Sequence, residues 1–457
     1  MRTKIQKLFE KHLLGEVDLW ASQLESGDLY EFELALRSVL QLLHAGIMEV
    51  VLNEVGQRAT FREHLKDLGV QLGLHRLKLR EVRLQTLVGI WITYKSYYGC
   101  ELESGREIST RHLSQTYWGC LKKSSPAYYS LVSELSAVCP SYELASEVLG
   151  HQDIEINAKR IRDLSIKTGA FGACVGLEAQ LDKEENMSGL RVVVQIDGGR
   201  SRIRSPKDKR SKKGYKKYDT PWREPKLLAI HVLDKDGNVA HSLRRPIYRA
   251  SVQDAKACMN DLVETLKILK VAEAEEVQFL ADGAPFIWKR IRAAFRKAGV
   301  AAKKITYTLD YYHAVEHLKE LSELLPLTKP DRNKHFEEWK DWLWEGLANS
   351  IVRKFKGLIR EAKSTLSKKM KTALEYFKKH HDRMQYKRFK KRKLLCGSGL
   401  VESAIRRVIN LRFKGPSAFW YEDNLNNMLV LRCAFLSGRW HNLMKAIQLE
   451  IKRGGTI

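Results

Sequence analysis

The feature that most constrains this sequence is a largely apolar run, LRVVVQID, at residues 190–197. Such a run is expected for a central strand of a sheet that is covered on both faces. It ends at Asp197, and two glycines and Arg200 follow. A carboxylate at the tip of a buried strand often marks a metal or catalytic site, although aspartate is also common in the turns that end strands. The run by itself leaves both interpretations open.

The segments after this run predict a mixed sheet with a fixed order. Residues 222–248 contain two strand patterns joined by an Asp-Gly pair at Asp236, which is typical of a hairpin turn. Helical spacing at 252–269 and short apolar runs at 276–282 and 304–310 add a helix and two more strands. Three antiparallel strands, a helix and two strand–helix units follow the order of the ribonuclease-H-like fold.

The first third of the chain predicts helices around a small sheet. Apolar residues at helical spacing predict a long helix over residues 30–57, and alternating polar and apolar residues over 75–100 predict two or three antiparallel strands. Residues 141–168 predict two helices joined by a short turn. This unit is either a DNA-reading helix-turn-helix, with Arg160 and Arg162 on the outer side of its second helix, or an ordinary helical hairpin.

We therefore predict an α+β multidomain protein. A ribonuclease-H-like catalytic domain is interrupted by an all-helical insertion and preceded by an N-terminal helical region, a small β region and a helix-turn-helix-like unit. The predicted boundaries are 1–60 for the N-terminal helical region, 61–130 for the β-rich region, 131–185 for the helix-turn-helix-like DNA-binding region, 186–314 for the first part of the catalytic domain, 315–395 for the basic helical insertion, 396–445 for the last part of the catalytic domain and 446–457 for a C-terminal tail.

The charge balance indicates a polyanionic partner. The 457 residues include 80 Lys and Arg against 54 Asp and Glu, a net charge of +26. Nucleic acid is the first candidate for such an excess. We expect no membrane partner, because no apolar stretch approaches the ~20 residues that a span needs. Seven scattered cysteines without a CxxC pair indicate reduced thiols in a cytoplasmic protein.

Two aspartates and one glutamate carry the candidate chemistry. Asp197 and Asp282 each close an apolar run and precede glycine, in QIDGG and LADGA, so neighbouring strands would present both carboxylates at one edge of the sheet. Glu402 follows a glycine loop near the start of a predicted helix and can complete a triad. Two Mg²⁺ ions ~4 Å apart suit phosphodiester cleavage, and Mg²⁺ prefers oxygen ligands. We also expect the glycines to let a DNA backbone approach.

Four segments resemble the DDE transposases of bacterial insertion sequences: VQIDGGR, FLADGAPFIW, LDYYHAVEHL and GSGLVESAIRRVINLRFKGPSAFW. The resemblance covers residues 130–445 and is to the ISKra-type group, in the neighbourhood of Mutator-like elements. It implies that Asp197, Asp282 and Glu402 are the catalytic triad and the ligands of two Mg²⁺ ions, for which Mn²⁺ can substitute. The 120-residue interval between Asp282 and Glu402 matches the helical insertion that precedes the glutamate in this family.

Asp310 and His313 match the Asp-x-x-His element that Mutator-like transposases carry after their second aspartate. His313 either orients nucleic acid near the active site or makes a structural hydrogen bond to Asp310, and we favour the supporting role. We do not expect zinc, because no cysteine lies near His313 at ligand spacing. Cys100 also stands alone where ISKra-type relatives often carry paired cysteines.

Two segments hold most of the excess charge. Residues 200–222 have a net charge of +8 and residues 351–395 of +14, together 22 of the 26. The first is expected to be a solvated loop, and its position beside Asp197 favours phosphate binding. Arg406 either continues this basic track or pairs with Glu402, four residues earlier on the same helix. The residues predicted to bind DNA are Arg160, Arg162, Arg200, Lys212, Lys213, Lys216, Lys217, Arg406 and Arg407.

The sequence thus predicts a DNA transposase that binds double-stranded element ends with terminal inverted repeats, cuts them and joins them to target DNA by metal-dependent phosphoryl transfer. We expect a homo-oligomer on DNA, in the bacterial cytoplasm and at the nucleoid. Two rival functions stay open. One is a ribonuclease-H-like nuclease that cleaves without joining, and the other is a catalytically silent DNA-binding protein derived from a transposase.

Overall fold

The chain forms a mixed α+β protein with two compact units. The computed structural model describes residues 1–103, 106–210, 216–415 and 418–455. The first unit comprises Met1–Gln180, Val430–Phe435 and Arg439–Ile457. The second unit comprises Leu181–Leu429 and Leu436–Gly438.

Four helices begin the first unit: α1 (Arg2–His12), α2 (Val17–Glu25), α3 (Leu29–Gln57) and α4 (Ala59–Gln71). The Asp28 side chain accepts a hydrogen bond from the Glu31 N–H at 3.1 Å and so caps α3. α3 confirms the helix predicted for residues 30–57. α4 lies in the region predicted to be rich in β structure. A helix forms there because Phe61 and Leu65 fall on one helical face, and both side chains are buried.

Within the described residues, α3 is the one helix whose length and composition would suffice to cross a membrane. This contradicts our expectation that no apolar stretch reaches that length. Only 11% of the apolar window of α3 is buried, and the buried residues of this helix are Leu43 and Ala45. The absence of a membrane partner therefore stays a prediction.

An antiparallel sheet follows, with strands β1 (His75–Gln85), β2 (Trp91–Glu103) and β3 (Arg106–His112) in that order. It confirms the strands predicted over residues 75–100. Val82 pairs with Tyr94 across β1 and β2. Leu84 pairs with Ile92, and all four side chains are buried. Alternate residues of both strands therefore form one apolar face, which packs with residues of α3.

The next helices are α5 (Leu113–Trp118), α6 (Pro126–Val138), α7 (Tyr142–Gly150) and α8 (Ala158–Val175). The Ser141 side chain caps α7, and the Asn157 side chain caps α8. α7 and α8 confirm the two helices predicted for residues 141–168. The buried residues of their inner faces and the turn include Ala145, Leu149, Ile154, Ile161 and Leu164. Whether this pair of helices reads DNA stays a prediction.

A mixed five-stranded sheet is the centre of the second unit. The described strands of this unit are β4 (Arg191–Gly198), β5 (Ser201–Arg202), β6 (Ser205–Arg210), β7 (Lys216–Asp219), β8 (Trp222–Arg223), β9 (Lys226–Leu233), β10 (Ile247–Ser251), β11 (Glu276–Ala281) and β12 (Ile305–Leu309). The sheet order is β10-β9-β4-β11-β12. β9 is antiparallel to both its neighbours, and β4, β11 and β12 are parallel. Residues Val192 to Ile196 are buried, which confirms the central strand predicted from the apolar run.

The basic segment 200–222, which we expected to be a loop, contains short antiparallel pairs of β5 with β8 and of β6 with β7. Strands are possible here because small and apolar residues alternate with the basic ones, and Ser201 and Ile203 are buried. Residues 211–215, with Lys212 and Lys213, lie outside the described residues.

The connection after β9 is longer than the hairpin predicted at Asp236. A turn is present, and Gly237 adopts the left-handed conformation with φ +85°. Beyond it, Leu233 and Val239 form only an isolated bridge. The chain turns again at residues 240–243, where the Leu243 N–H donates to the Ala240 carbonyl, so pairing resumes only at β10.

The described helices of the second unit are α9 (Ala255–Ile268), α10 (Pro285–Trp288), α11 (Ile291–Lys297), α12 (Tyr311–Glu323), α13 (Lys329–Trp344), α14 (Ala348–Glu361), α15 (Lys368–His380), α16 (Tyr386–Lys391), α17 (Gly399–Ile405), α18 (Leu411–Phe413) and α19 (Glu422–Leu436), whose residues Val430–Phe435 belong to the first unit. A π-helical turn, Arg406–Asn410, joins α17 to α18. α13 to α16 therefore separate β12 and α12 from α17 in the chain.

α20 (Trp440–Lys452) belongs to the first unit and overturns the tail predicted for residues 446–457. Leu443, Ile447 and Ile451 recur every four residues and are all buried. This spacing puts them on one helical face, which packs against α5 and α8. The C-terminal segment is therefore part of the core of the first unit up to Lys452.

Candidate active site

Three parallel strands of the second unit end in carboxylates at one edge of the sheet. Leu280 of β11 pairs with Gln195 of β4, and β11 is also paired in parallel with β12. Paired residues therefore form rows that cross all three strands. Extending both registers by one or two residues places Asp197, Asp282 and Asp310 side by side. The common edge predicted for Asp197 and Asp282 thus follows from the sheet topology.

Burial and the neighbouring groups at this edge of the sheet shift the pKa of the Asp197 carboxyl group. Burial raises the pKa of its carboxyl group above the ordinary value, and the charges of Asp282 and Glu402 raise it further. The Gly198 N–H, which donates to Asp197 Oδ1 at 2.6 Å, and the His313 side chain lower it in part. The structure therefore brings Asp282, Glu402 and His313 within electrostatic range of Asp197.

Asp282 begins a tight turn directly after β11. Its Oδ1 accepts a hydrogen bond from the Ala284 N–H at 3.0 Å, and its carbonyl accepts one from Trp288 Nε1 at 2.5 Å. Gly283 leaves room for a neighbour, since a Cβ at that position would lie 2.7 Å from the Tyr376 ring. These contacts fix the Asp282 carboxylate at the end of its strand.

Glu402 is exposed in the first turn of α17, and Ser398 holds its carboxylate. The Ser398 hydroxyl donates to Glu402 Oε1, and the Ser398 N–H donates to Asp310 Oδ2. Asp310 is fully buried, and its Oδ1 accepts the His313 N–H at 2.7 Å, which caps α12. Asp310 therefore ties the end of β12 to the start of the Glu402 helix.

Gln278 of β11 fixes the loop that leads into α17. Its Nε2 donates to the Leu395 carbonyl at 2.6 Å, and its Oε1 accepts the Leu395 N–H at 3.0 Å. One residue further on, the Cys396 carbonyl accepts the Tyr311 N–H at 2.9 Å. The loop is thus bound to both β11 and α12. A buried glutamine in an apolar strand is the sequence signal for this anchor, and the motif analysis missed it.

His313 contacts the site in two ways. Its backbone N–H donates to Asp310 Oδ1, so His313 makes a structural hydrogen bond to Asp310 through its backbone. Its imidazole Nδ1 lies 3.3 Å from Glu316 Oε2, and 43% of the side chain is exposed. The ring is therefore near Asp197 and accessible to solvent, a position from which it can contact a bound phosphate.

Tyr376 of α15 was missed by sequence reasoning. Burial and then the charges of Asp282 and Asp310 raise the pKa of its hydroxyl group. That hydroxyl is buried without a hydrogen-bond partner among the described residues. A tyrosine within a long basic helical segment gives no signal of this contact, since the contact depends on how α15 packs on the turn after Asp282.

Lys226, at the start of β9, was also missed. It pairs in register with Gly198, and its Nζ lies 2.7 Å from Glu224 Oε1 and 4.2 Å from the Phe286 ring centroid. A Cβ at Gly198 would lie 1.9 Å from Glu224 Oε1. The exposed Glu224 side chain therefore lies beside Gly198, and the approach of a DNA backbone to these glycines stays a prediction.

Several of the basic residues predicted to bind DNA share the second unit with the carboxylates. Arg200 and Lys217 are exposed, and Lys216 lies in β7. Arg406 and Arg407 are exposed at the π-helical turn after α17. Arg407 Nη2 donates to the Tyr248 hydroxyl at 3.1 Å. No ion pair joins Arg406 to Glu402 in the part of the chain that the structure describes.

The two arginines of the helix pair in the first unit differ from each other. Arg160 Nη2 donates to the Lys122 carbonyl at 2.5 Å and to Ser124 Oγ at 3.1 Å, so it fixes a turn. Arg162 is exposed and pairs with Asp163 at 2.9 Å, a surface contact that contributes little. Of the two, Arg162 is the more available to an external ligand.

The donor atoms of the carboxylate edge suit a hard cation. Mg²⁺ prefers oxygen ligands and is commonly held by one or two carboxylates together with water and substrate phosphates. Asp197, Asp282 and Glu402 fit this mode by their chemistry. Across the described ranges, no three His, Cys, Asp or Glu side chains form a ready-made metal cluster. Cys100, where a zinc site was considered, contacts the His75 carbonyl at 3.6 Å.

No family model and no curated protein matches the chain. Among solved structures, it is similar to the Drosophila P element transposase strand transfer complex, with 10% sequence identity and a TM-score of 0.26. The match covers 75% of this chain and 82% of that chain. A likeness at this level carries no conclusion about fold or function.

Proposed function

We propose that the chain is a DNA transposase with a catalytic triad of Asp197, Asp282 and Glu402. The observation that carries the proposal is the convergence of these carboxylates in the second unit, where burial and the charges of two of them raise the pKa of the third. Carboxyl groups perturbed by burial and by a specific charged neighbour are concentrated at functional sites.

The arrangement of the second unit supports a ribonuclease-H-like catalytic domain. β9 alone is antiparallel in the sheet order β10-β9-β4-β11-β12. Asp197 lies near the end of β4, and Asp282 directly follows β11. The helices between β12 and α17 support a helical insertion ahead of Glu402. The four sequence motifs support membership of the ISKra-type group, near the Mutator-like elements.

Each residue of the site has a proposed role. Asp197, Asp282 and Glu402 supply carboxylate oxygens to Mg²⁺ or Mn²⁺. These ions, when bound, activate the attacking oxygen and stabilise the leaving oxygen in an in-line displacement. Asp310 and Ser398 hold Glu402 in place through the hydrogen bonds described above. The nucleophile is water in cleavage and a DNA 3′-hydroxyl group in joining.

The charge distribution supports DNA as the substrate. Residues 200–222 and 351–395 hold 22 of the 26 net positive charges, and both lie in the unit that carries the carboxylates. Basic segments of this kind bind phosphates without regard to sequence. We propose that the protein binds the inverted repeats of an element and the target DNA as a homo-oligomer, in the cytoplasm of a bacterium.

A cleavage and strand-transfer assay with element-end oligonucleotides tests this function. The wild-type protein should nick and join DNA in Mg²⁺ or Mn²⁺ and do neither in EDTA. Asp197→Asn, Asp282→Asn and Glu402→Gln should each abolish both reactions and keep DNA binding. Asp236→Asn, in an exposed turn, is the matched control and should be active.

The same assay separates the two rival functions. Cleavage without joining would favour a ribonuclease-H-like nuclease, which the shared triad keeps as a second candidate. DNA binding by the wild-type protein without metal-dependent nicking would favour a catalytically silent binding protein and would contradict the proposal.

A further inference from the structure

Two arginines lie on the segment that continues from the candidate active site, Arg202 at the end of β5 and Arg204 two residues later. Arg202 and Arg204 are exposed, whereas Ile203 between them is buried. The Arg204 N–H donates to the Trp420 carbonyl at 2.7 Å, and the Trp420 N–H donates to the Arg202 carbonyl at 3.0 Å. Because side chains alternate along extended chain, Ile203 and Trp420 face the interior and both arginines face outward.

Aromatic rings surround these arginines on the outward face. Trp222 pairs with Arg202 across β5 and β8, and the guanidinium lies 4.8 Å from the Trp222 ring centroid. The Phe419 ring centroid lies 5.8 Å from Arg202 and 5.8 Å from Arg204. Arg204 also lies 5.7 Å from the Tyr218 ring centroid.

A pair of tyrosines extends the same face. The Tyr421 and Tyr218 hydroxyl groups are joined by a hydrogen bond of 2.9 Å, and their rings meet edge to face at 6.1 Å. We name the set Arg202, Arg204, Tyr218, Trp222, Phe419 and Tyr421 the aromatic–arginine face. Trp222 is 50% exposed and Tyr421 is 42% exposed, so large parts of both rings are open to solvent.

The charge of this face is not neutralised locally. Neither Arg202 nor Arg204 forms an ion pair with a carboxylate among the described residues. Exposed rings together with uncompensated guanidinium groups are the two components with which proteins bind single-stranded nucleic acid, because bases stack on the rings while cations meet the phosphates. In a duplex the bases are stacked on one another, and such rings find no free base.

We propose that the aromatic–arginine face binds unpaired nucleotides of the DNA next to the phosphodiester that is cut. The inference rests on the proposed function for its choice of DNA. Arg202 lies five positions after Asp197 in the sequence, which is at most about 18 Å of extended chain. At 3.4 Å per nucleotide of one strand, that reach corresponds to about five nucleotides. A base stacks on Trp222 or Tyr421, and Arg202 and Arg204 bind the adjacent phosphates.

Binding of the full-length protein to three DNA probes in EDTA tests this inference. The probes are a blunt duplex, the same duplex with a tail of about five thymidines, and the same duplex with a tail of equal length made of abasic sites. The abasic tail keeps the phosphates and removes the bases. Wild-type protein should bind the thymidine tail about 5- to 150-fold more tightly than the abasic tail, which corresponds to stacking of one base.

Substitutions test whether the aromatic–arginine face causes the preference for the thymidine tail. Trp222→Ala and Tyr421→Ala should each lower the thymidine-to-abasic ratio, and Trp222→Phe should restore most of it because a ring is kept. Trp91→Ala is the matched control, since Trp91 is 40% exposed and lies 5.4 Å from the Arg83 guanidinium in the first unit. It should leave the ratio unchanged.

Equal affinity of the wild-type protein for the two tails would overturn the inference, and so would an equal loss of the ratio in Trp91→Ala. The result is separable from the catalytic proposal because the probes are bound without metal. Glu402→Gln should keep the preference. A protein that prefers thymidine tails and never cleaves DNA would refute the transposase function alone.

Discussion

Asp197 carries a charge that the metal-free folded protein disfavours. Burial and the nearby carboxylates of Asp282 and Glu402 raise its pKa above the ordinary value of about 3.9. Near neutral pH the ionised group therefore costs the folded state stability, and this cost disappears as the pH falls through the raised pKa. A cation between the carboxylates would remove the same repulsion.

The first prediction follows from the upward direction of the pKa shift of Asp197. Asp197→Asn should raise the melting temperature of the metal-free protein at neutral pH while lowering the cleavage rate roughly 10³-fold or more. The gain in melting temperature should shrink as the pH falls through the raised pKa, because the wild-type carboxyl group then becomes neutral as well. Thermal melts in EDTA at several pH values measure it, with Asp236→Asn as the control. A lower melting temperature for Asp197→Asn would contradict the electrostatic account.

At the scale of single residues, sequence position identified Asp197, Asp282 and Glu402 as candidates. Each carboxylate stands at a place that local pattern makes visible, at the end of an apolar run or just after a glycine loop. Tyr376 and Lys226 could not be found in this way, because their contacts with the site depend on how separate elements pack. The catalytic role of the triad remains a prediction.

At the scale of elements, strand and helix periodicity predicted β4, β11, β12 and the helix pair of residues 141–168. The same reasoning failed where local pattern was weak or misleading. The basic segment 200–222 forms strand pairs, and residues 446–452 are helix rather than tail. In each case buried residues at regular spacing, such as Ile203 or Ile447, outweigh the polar composition of the segment.

The second prediction concerns the anchor between β11 and the loop before α17. Gln278→Leu removes the partners of the Leu395 N–H and carbonyl, and each unsatisfied buried group costs ~1–3 kcal/mol. Glu402 should then be held less firmly, so cleavage should slow by about tenfold or more while DNA affinity is unchanged. Single-turnover cleavage and equilibrium binding measure the two effects.

Gln195→Leu is the control for this variant. Gln195 is buried in β4, and its side-chain amide has no hydrogen-bond partner among the described residues. The same substitution there removes no hydrogen bond, so it should be neutral or stabilising. Equal slowing by both variants would show that the Gln278 anchor has no particular role.

At the scale of the whole molecule, charge is distributed unevenly along the chain. Two segments of the second unit carry 22 of the 26 net charges, and this unit also carries the candidate active site. The binding of Lys and Arg side chains to nucleic-acid phosphates releases counterions and therefore weakens as the salt concentration rises. Composition predicted the polyanionic partner, and the sequence also predicted that both segments belong to the catalytic half of the chain. The structure puts both in one compact unit.

The third prediction uses that salt dependence. Replacing Lys212, Lys213, Lys216 and Lys217 by alanine should weaken binding to element ends and to unrelated DNA alike. The slope of log K against log salt should flatten by up to ~0.9 for each lost phosphate contact. The exposed pair Lys235→Ala with Lys297→Ala, elsewhere in the second unit, should change the slope less. An unchanged slope in the fourfold variant would leave these lysines merely solvated.

The central claim is that the carboxylates of Asp197, Asp282 and Glu402 hold the catalytic cations, and a change of metal preference tests it most directly. Asp197→Cys replaces a hard oxygen ligand by a soft sulfur ligand, which binds Mg²⁺ poorly and softer divalent ions such as Mn²⁺ or Zn²⁺ better. We predict that this variant loses DNA cleavage in Mg²⁺ and regains a measurable part of it in Mn²⁺ or Zn²⁺, whereas Asp197→Ala regains none. Cleavage by Asp197→Cys at the wild-type rate in Mg²⁺ would contradict the account.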